Sequence, residues 1–167
     1  MHKEYDNVIA INSEYNVLEN QKSHGDKMLE FVNDNYVDFE ILYYDAESEN
    51  GRITSKSIID GLTELKTMGV DKINISLSCK KYSRDIQKWI DENKDVKIFA
   101  SYNNLINTFD YPARYGGVIA SGKKEKNYDY KPLDIVYKSN RIFSLNTGKI
   151  YNGNSYLSIM SMLDSEE

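Results

Sequence analysis

Short apolar runs bounded by polar or turn-forming residues alternate along the chain with longer stretches in which apolar residues return every three or four positions. Residues 8–11 form the first predicted strand, closing at Asn12, and a helix is predicted over 25–33, with Met28, Leu29 and Val32 as its apolar residues. Residues 39–44 read as a second strand, and 45–52, with Glu49, Asn50 and Gly51, as a polar turn. Thr54 or Ser55 caps the next helix, in which Ile58, Ile59, Leu62 and Leu65 share a face. Met68-Gly69-Val70 ends it, with glycine just past the last turn. Strands follow over 72–77, 96–101, 118–121 and 134–137, with a helix over 83–92 that holds Trp89 and a closing helix over 156–163. Strand and helix in alternation predict an α/β fold: a doubly wound, mainly parallel sheet with helices on both faces. Ligands of such sheets sit beyond the carboxyl ends of the strands, so the residues that follow each strand are the candidates for a site.

Composition narrows the function. A chain of 167 residues with 40% apolar and 28% charged residues is expected to fold as one domain, 1–167, with no prosegment. A net charge of -5 gives no basic face for phosphates, so nucleic acid is not an expected partner. Lys123, Lys124 and Lys126, broken by Glu125, read as a solvated loop. The single cysteine, Cys79, permits no internal disulfide and reads as a packing residue rather than a nucleophile. The apolar run at 8–11 is too short for a signal segment or a membrane span, so a cytoplasmic location without membrane contact is expected. Two histidines and one cysteine are too few ligands for tetrahedral zinc, and no glycine-rich phosphate cradle is present. Neither metal nor cofactor is therefore expected. The 14 tyrosines are compatible with a peptide groove and with ordinary half-buried positions alike.

The strand ends carry a run of phrases in a familiar order. Tyr151-Asn152-Gly153-Asn154-Ser155 resembles the Y-N-G-T-S-M-A segment of the subtilases, the subtilisin-like serine peptidases, and Ser23-His24-Gly25-Asp26-Lys27-Met28 resembles their H-G-T-H-V phrase. Ile73-Asn74-Ile75-Ser76-Leu77-Ser78 is similar to V-I-N-M-S-L-G, and the segment from Val96 to Asn103 to V-L-V-V-A-A-A-G-N. Tyr111-Pro112-Ala113-Arg114-Tyr115, continuing through Gly116-Gly117-Val118-Ile119-Ala120, resembles Y-P-A-x-Y-x-x-V-I-A. Asp134-Ile135-Val136 falls where D-V-x-A-P-G belongs. The resemblance spans nearly the whole chain and implies a subtilisin-like fold reduced in size. It implies Ser155 as nucleophile, His24 as general base and Asn103 as side-chain donor to the oxyanion. It also implies that Ser76, Leu77 and Ser78 border a cleft for a peptide or protein substrate.

At the first strand the pattern departs. Val8-Ile9-Ala10-Ile11-Asn12 resembles V-A-V-I-D and puts Asn12 where the third member of the triad, aspartate, belongs. Asparagine carries no charge to stabilise an imidazolium and can hold the histidine in the wrong tautomer, an exchange worth about 10⁴ in turnover in trypsin. Glu14 and Asp26 are the nearest carboxylates in sequence that could substitute. Asn154 stands in place of threonine, Tyr102 in place of the glycine before Asn103, and no proline follows Ser155 in its helix. Only twelve positions lie from Asn12 to His24, so calcium-binding and specificity loops are expected to be missing. Two readings stay open: a serine endopeptidase of low or specialised activity, and a pseudoprotease that binds a peptide or partner without cutting it. Each residue also has a plainer reading, with Ser155 as a helix cap, His24 as a helix-start residue and Asn103 as a turn residue. The sequence leaves the oligomeric state open.

Overall fold

The computed structural model describes residues 8–12, 23–36, 41–47, 52–102, 111–124 and 133–165, the first of these segments as backbone alone. Six strands form one sheet: β1 (Val8–Asn12), β2 (Tyr43–Asp45), β3 (Lys72–Ile75), β4 (Lys97–Ser101), β5 (Val118–Lys123) and β6 (Ile135–Tyr137). Every pairing in it is parallel, in the order β2-β1-β3-β4-β5-β6. The chain leaves β1 toward β2 on one side and returns to β3 on the other, so the winding direction reverses between β1 and β3. That reversal opens a crevice at the carboxyl edge.

Helices α1 (His24–Asn35) and α4 (Asn154–Leu163) cover one face, and α2 (Ser55–Thr67) and α3 (Arg84–Glu92) the other. Because successive strand residues point to opposite faces, each strand feeds two cores. Ile73, Ile75, Ile98, Ala100, Val118 and Ala120 meet Ile58, Leu62 and Leu65 of α2 and Ile86 and Ile90 of α3. Phe99 instead meets Met28, Phe31 and Val32 of α1 and Tyr156, Ile159 and Met162 of α4. The helices start on signals visible in the sequence. Ser23 and Asp26 form a reciprocal capping box on α1, Thr54 and Ser57 one on α2, and Ser83 caps α3.

Several boundaries move from expectation. Strand β3 stops at Ile75, so Ser76 and Leu77 lie beyond the ladder, whereas β5 runs on to Lys123, which belongs to a strand and not to a loop. The predicted second strand shortens to Tyr43–Asp45, and its first two positions lie outside the described residues. An antiparallel hairpin of β7 (Arg141–Phe143) and β8 (Ile150–Asn152) fills the stretch before α4, where no element was expected. Among the described residues no helix is long and apolar enough to cross a membrane, and no group of three or more His, Cys, Asp or Glu could hold a metal ion.

Gly61 tests the packing of α2 on the sheet. A Cβ there would lie 2.5 Å from Cδ1 of Tyr44, well inside contact distance and near the stiff root of the ring. Gly61→Ala should therefore destabilise the fold by about 1–3 kcal/mol in urea denaturation, against the usual gain in helix propensity of up to about 1 kcal/mol. A variant more stable than the parent would contradict this packing.

Candidate active site

The face of the sheet beneath α1 and α4 changes character toward its carboxyl edge. At mid-sheet Phe99 of β4 pairs with Ile119 of β5, and two residues further Ser101 pairs with Ser121. Ser76 takes the corresponding place after β3. All three serines are buried. Side chains this small let the first turn of α4, which lies over β3, β4 and β5, approach the strands closely. The Asn74 amide, also fully buried, donates to Ser76 Oγ at 2.6 Å and holds that hydroxyl inward.

Asn154 fixes the start of α4. Its Nδ2 donates to the Tyr102 carbonyl at 3.0 Å, and its Oδ1 accepts from the Lys123 backbone N–H at 3.4 Å, so one buried side chain ties the helix to the ends of β4 and β5. The departure from threonine at this position thus has a structural role. Gly153 precedes it with φ of 147°, a conformation that side chains rarely adopt, and serves as N-cap without any side-chain hydrogen bond. Ser155 is therefore not the cap of its helix. It occupies the second helical position, half-buried, at the positive end of an N-terminus that no side chain closes.

His24 opens α1. Because β1 and β2 are parallel, α1 must return the chain across the sheet, so His24 starts from the same edge as Ser155, and the two helices pack on each other. Burial, and then the Lys27 ammonium one turn on, push the imidazole below its usual range. The helix N-terminus acts in the same direction. The neutral form of the ring, the form a base needs, is thereby favoured. Among the described residues neither the His24 ring nor the Ser155 hydroxyl has a hydrogen-bond partner. The Asp26 carboxylate accepts from the Ser23 N–H at 2.9 Å in the capping box, which commits it to the helix start. Glu14 and Asn103 lie outside the described residues. Asn12 is described by its backbone, as the last residue of β1, paired with Asp45.

Beyond β3, Ser76 is buried, Leu77 half-buried and Ser78 exposed. The segment then turns back through Cys79, which exchanges two backbone hydrogen bonds with Tyr111, at 2.8 and 3.0 Å. The Tyr111-Pro112 peptide bond is cis. Cys79 is exposed, not packed as expected, since its backbone forms the bridge and its thiol donates to the Lys81 carbonyl at 3.5 Å.

No protein-family model matches the chain, and no curated protein is similar enough to serve as a relative. Solved structures are. The chain is similar to the prenylagaramide maturation protease PagA, with a TM-score of 0.64 and 14% identity over 96% of this chain and 74% of that one. It is similar to the self-cleaved protease domain of PatA, with a TM-score of 0.66 and 16% identity over 95% of this chain and 78% of that one. The chain has a subtilisin-like α/β fold. At such identity the likeness is one of fold, and the subtilisin-like frame accounts for the ordered strand-end phrases.

Sequence reasoning passed over the residues that hold this edge together, Asn154 as a clamp and the hairpin that feeds it. The signal for the hairpin was present in Asn146-Thr147-Gly148 between two short apolar runs, with Gly148 at positive φ in the turn. Removing the clamp tests its role. Asn154→Ala removes both bonds and should lower stability by about 1–3 kcal/mol in urea denaturation. Asn154→Thr, with one short hydroxyl, should recover only part of the loss.

Proposed function

We propose that the chain is a subtilisin-like serine endopeptidase in which Ser155 attacks the peptide carbonyl, His24 takes its proton, Asn103 donates to the oxyanion and Asn12 orients His24. The observation that carries this reading is the arrangement of α1 and α4. One begins with an imidazole whose neutral form burial favours, and the other is an uncapped N-terminus with a serine in its first turn, both at the edge where the strands end. Attack by Ser155 Oγ on the carbonyl carbon passes the hydroxyl proton to His24, and the tetrahedral oxyanion meets the N–H groups at the start of α4. Collapse expels the amine, which takes the proton back from His24, and water then cleaves the acyl-enzyme by the same route. The substrate is a peptide or protein segment laid beside Ser76, Leu77 and Ser78, just beyond the end of β3. PagA is a maturation protease and the PatA domain is self-cleaved, so a precursor peptide is the substrate to test first.

A second reading rests on the same histidine. With asparagine at the end of β1 and Asp26 engaged in the capping box, an imidazolium formed in the reaction finds no compensating carboxylate among the described residues. A pseudoprotease that holds a peptide without cleaving it follows if that deficit is decisive.

A fluorophosphonate probe separates the two. The serine peptidase is labelled at Ser155, and Ser155→Ala abolishes the label. Labelling needs neutral His24, so its rate rises with pH through the His24 ionisation. Since that pKa is lowered, the rise lies at lower pH than for an ordinary imidazole. Asn12→Asp favours the imidazolium, so it should move the rise to higher pH and lift the plateau by up to about 10³–10⁴. Saturable peptide binding with no label at any pH would establish the pseudoprotease instead.

A further inference from the structure

We infer that Asp34, in the last turn of the helix that His24 opens, is a positioning residue that holds the turn carrying Ser155, an assignment that rests on the serine peptidase reading above. Its side chain gathers the hairpin that leads into α4. Asp34 Oδ2 accepts from the Tyr151 hydroxyl, from Lys149 Nζ at 2.8 Å and from Thr147 Oγ1 at 3.4 Å. Its backbone carbonyl accepts from Asn146 Nδ2 at 3.0 Å and from Ser144 Oγ at 3.3 Å. Lys149 also reaches Glu30, one helical turn earlier, at 2.5 Å. Five hairpin residues thus converge on one residue of α1.

The geometry connects that convergence to Ser155. Tyr151 lies four residues before the serine and Tyr156 directly after it, and both rings pack on Phe31 of α1, with centroids 4.9 and 5.0 Å away. The two tyrosines also contact each other, at 5.2 Å. The turn at 152–155 is therefore gripped on both flanks by the helix that His24 begins, while Asn154 secures it to the sheet. Aromatic packing alone leaves Tyr151 free to slide along its ring plane. The hydroxyl-to-carboxylate bond sets its depth. The Lys149 ammonium and the Tyr151 hydroxyl hold the Asp34 carboxyl below the usual carboxylate range, and burial with the Asp34 bond pushes the phenol up, so the bond persists over the pH range in which His24 acts. Exposed Lys149 is a weaker member of the group, since ion pairs open to solvent contribute little.

The test uses amide hydrogen exchange on the full chain, read in peptides covering 150–158, with 58–65 of α2 as internal control, and phosphonate labelling of Ser155 in parallel. In Asp34→Ala, exchange at 150–158 should rise by about tenfold or more with 58–65 unchanged. The labelling rate should fall by about 10- to 100-fold, in the inactivation step and not in probe binding, as expected for a displaced nucleophile. Tyr151→Phe keeps the ring and loses the hydroxyl, so it should act in the same direction, and the double variant should add nothing beyond Asp34→Ala. If Asp34→Ala does not fold, Tyr151→Phe decides the matter. Unchanged exchange at 150–158 overturns the assignment. A wild-type chain that takes no label removes the peptidase reading, while the exchange comparison still decides whether Asp34 holds the turn.

Discussion

The buried Asn154 amide, bonded to the ends of β4 and β5, determines where the last helix begins. Without it, α4 has a glycine cap in a conformation few residues adopt and no side chain to close its first turn. With it, the helix start is pressed against a row of serines small enough to admit it. The uncapped N–H groups and the Ser155 hydroxyl are then delivered to the edge of a parallel sheet, beside the crevice that the strand order opens between β1 and β3. A helix end left unsatisfied in this way is ordinarily a defect. In the serine peptidase reading it is what receives the oxyanion.

The opposite side of the site is built on different physics. His24 is placed by a capping box, and burial favours its neutral form, with Lys27 acting in the same direction. These forces prepare a base and do nothing for the acid that the base becomes. In a complete triad a carboxylate makes up that difference, and the sequence has asparagine at the end of β1.

Much of the fold was legible because it depends on local periodicity. The strands and helices of the doubly wound sheet lie within a few residues of where the apolar spacing puts them, and the caps Ser23, Thr54 and Ser83 stand where short polar side chains precede apolar runs. The β7–β8 hairpin was not legible, since its strands are three residues long and its large apolar residues, Phe143 and Ile150, face solvent, which removes the pattern that a buried face imposes. The site divides in the same way. Ser155 and His24 are expectations from phrases read in order along the chain, and both stand in the first turns of helices. Asn154, Asp34 and Tyr151 act through contacts between residues up to 117 positions apart, and no local spacing encodes them.

The central claim is that the His24 ring and the Ser155 side chain face one cleft, and it can be measured without any turnover. Ser155→Asp places a carboxylate at the serine position, and the His24 pKa is then followed by NMR titration, with His2→Gln to separate the two imidazoles. A shared cleft predicts a rise of about 1–3 units relative to the parent, the effect of an opposite charge within about 4–6 Å. A His24 titration that does not move would contradict the account.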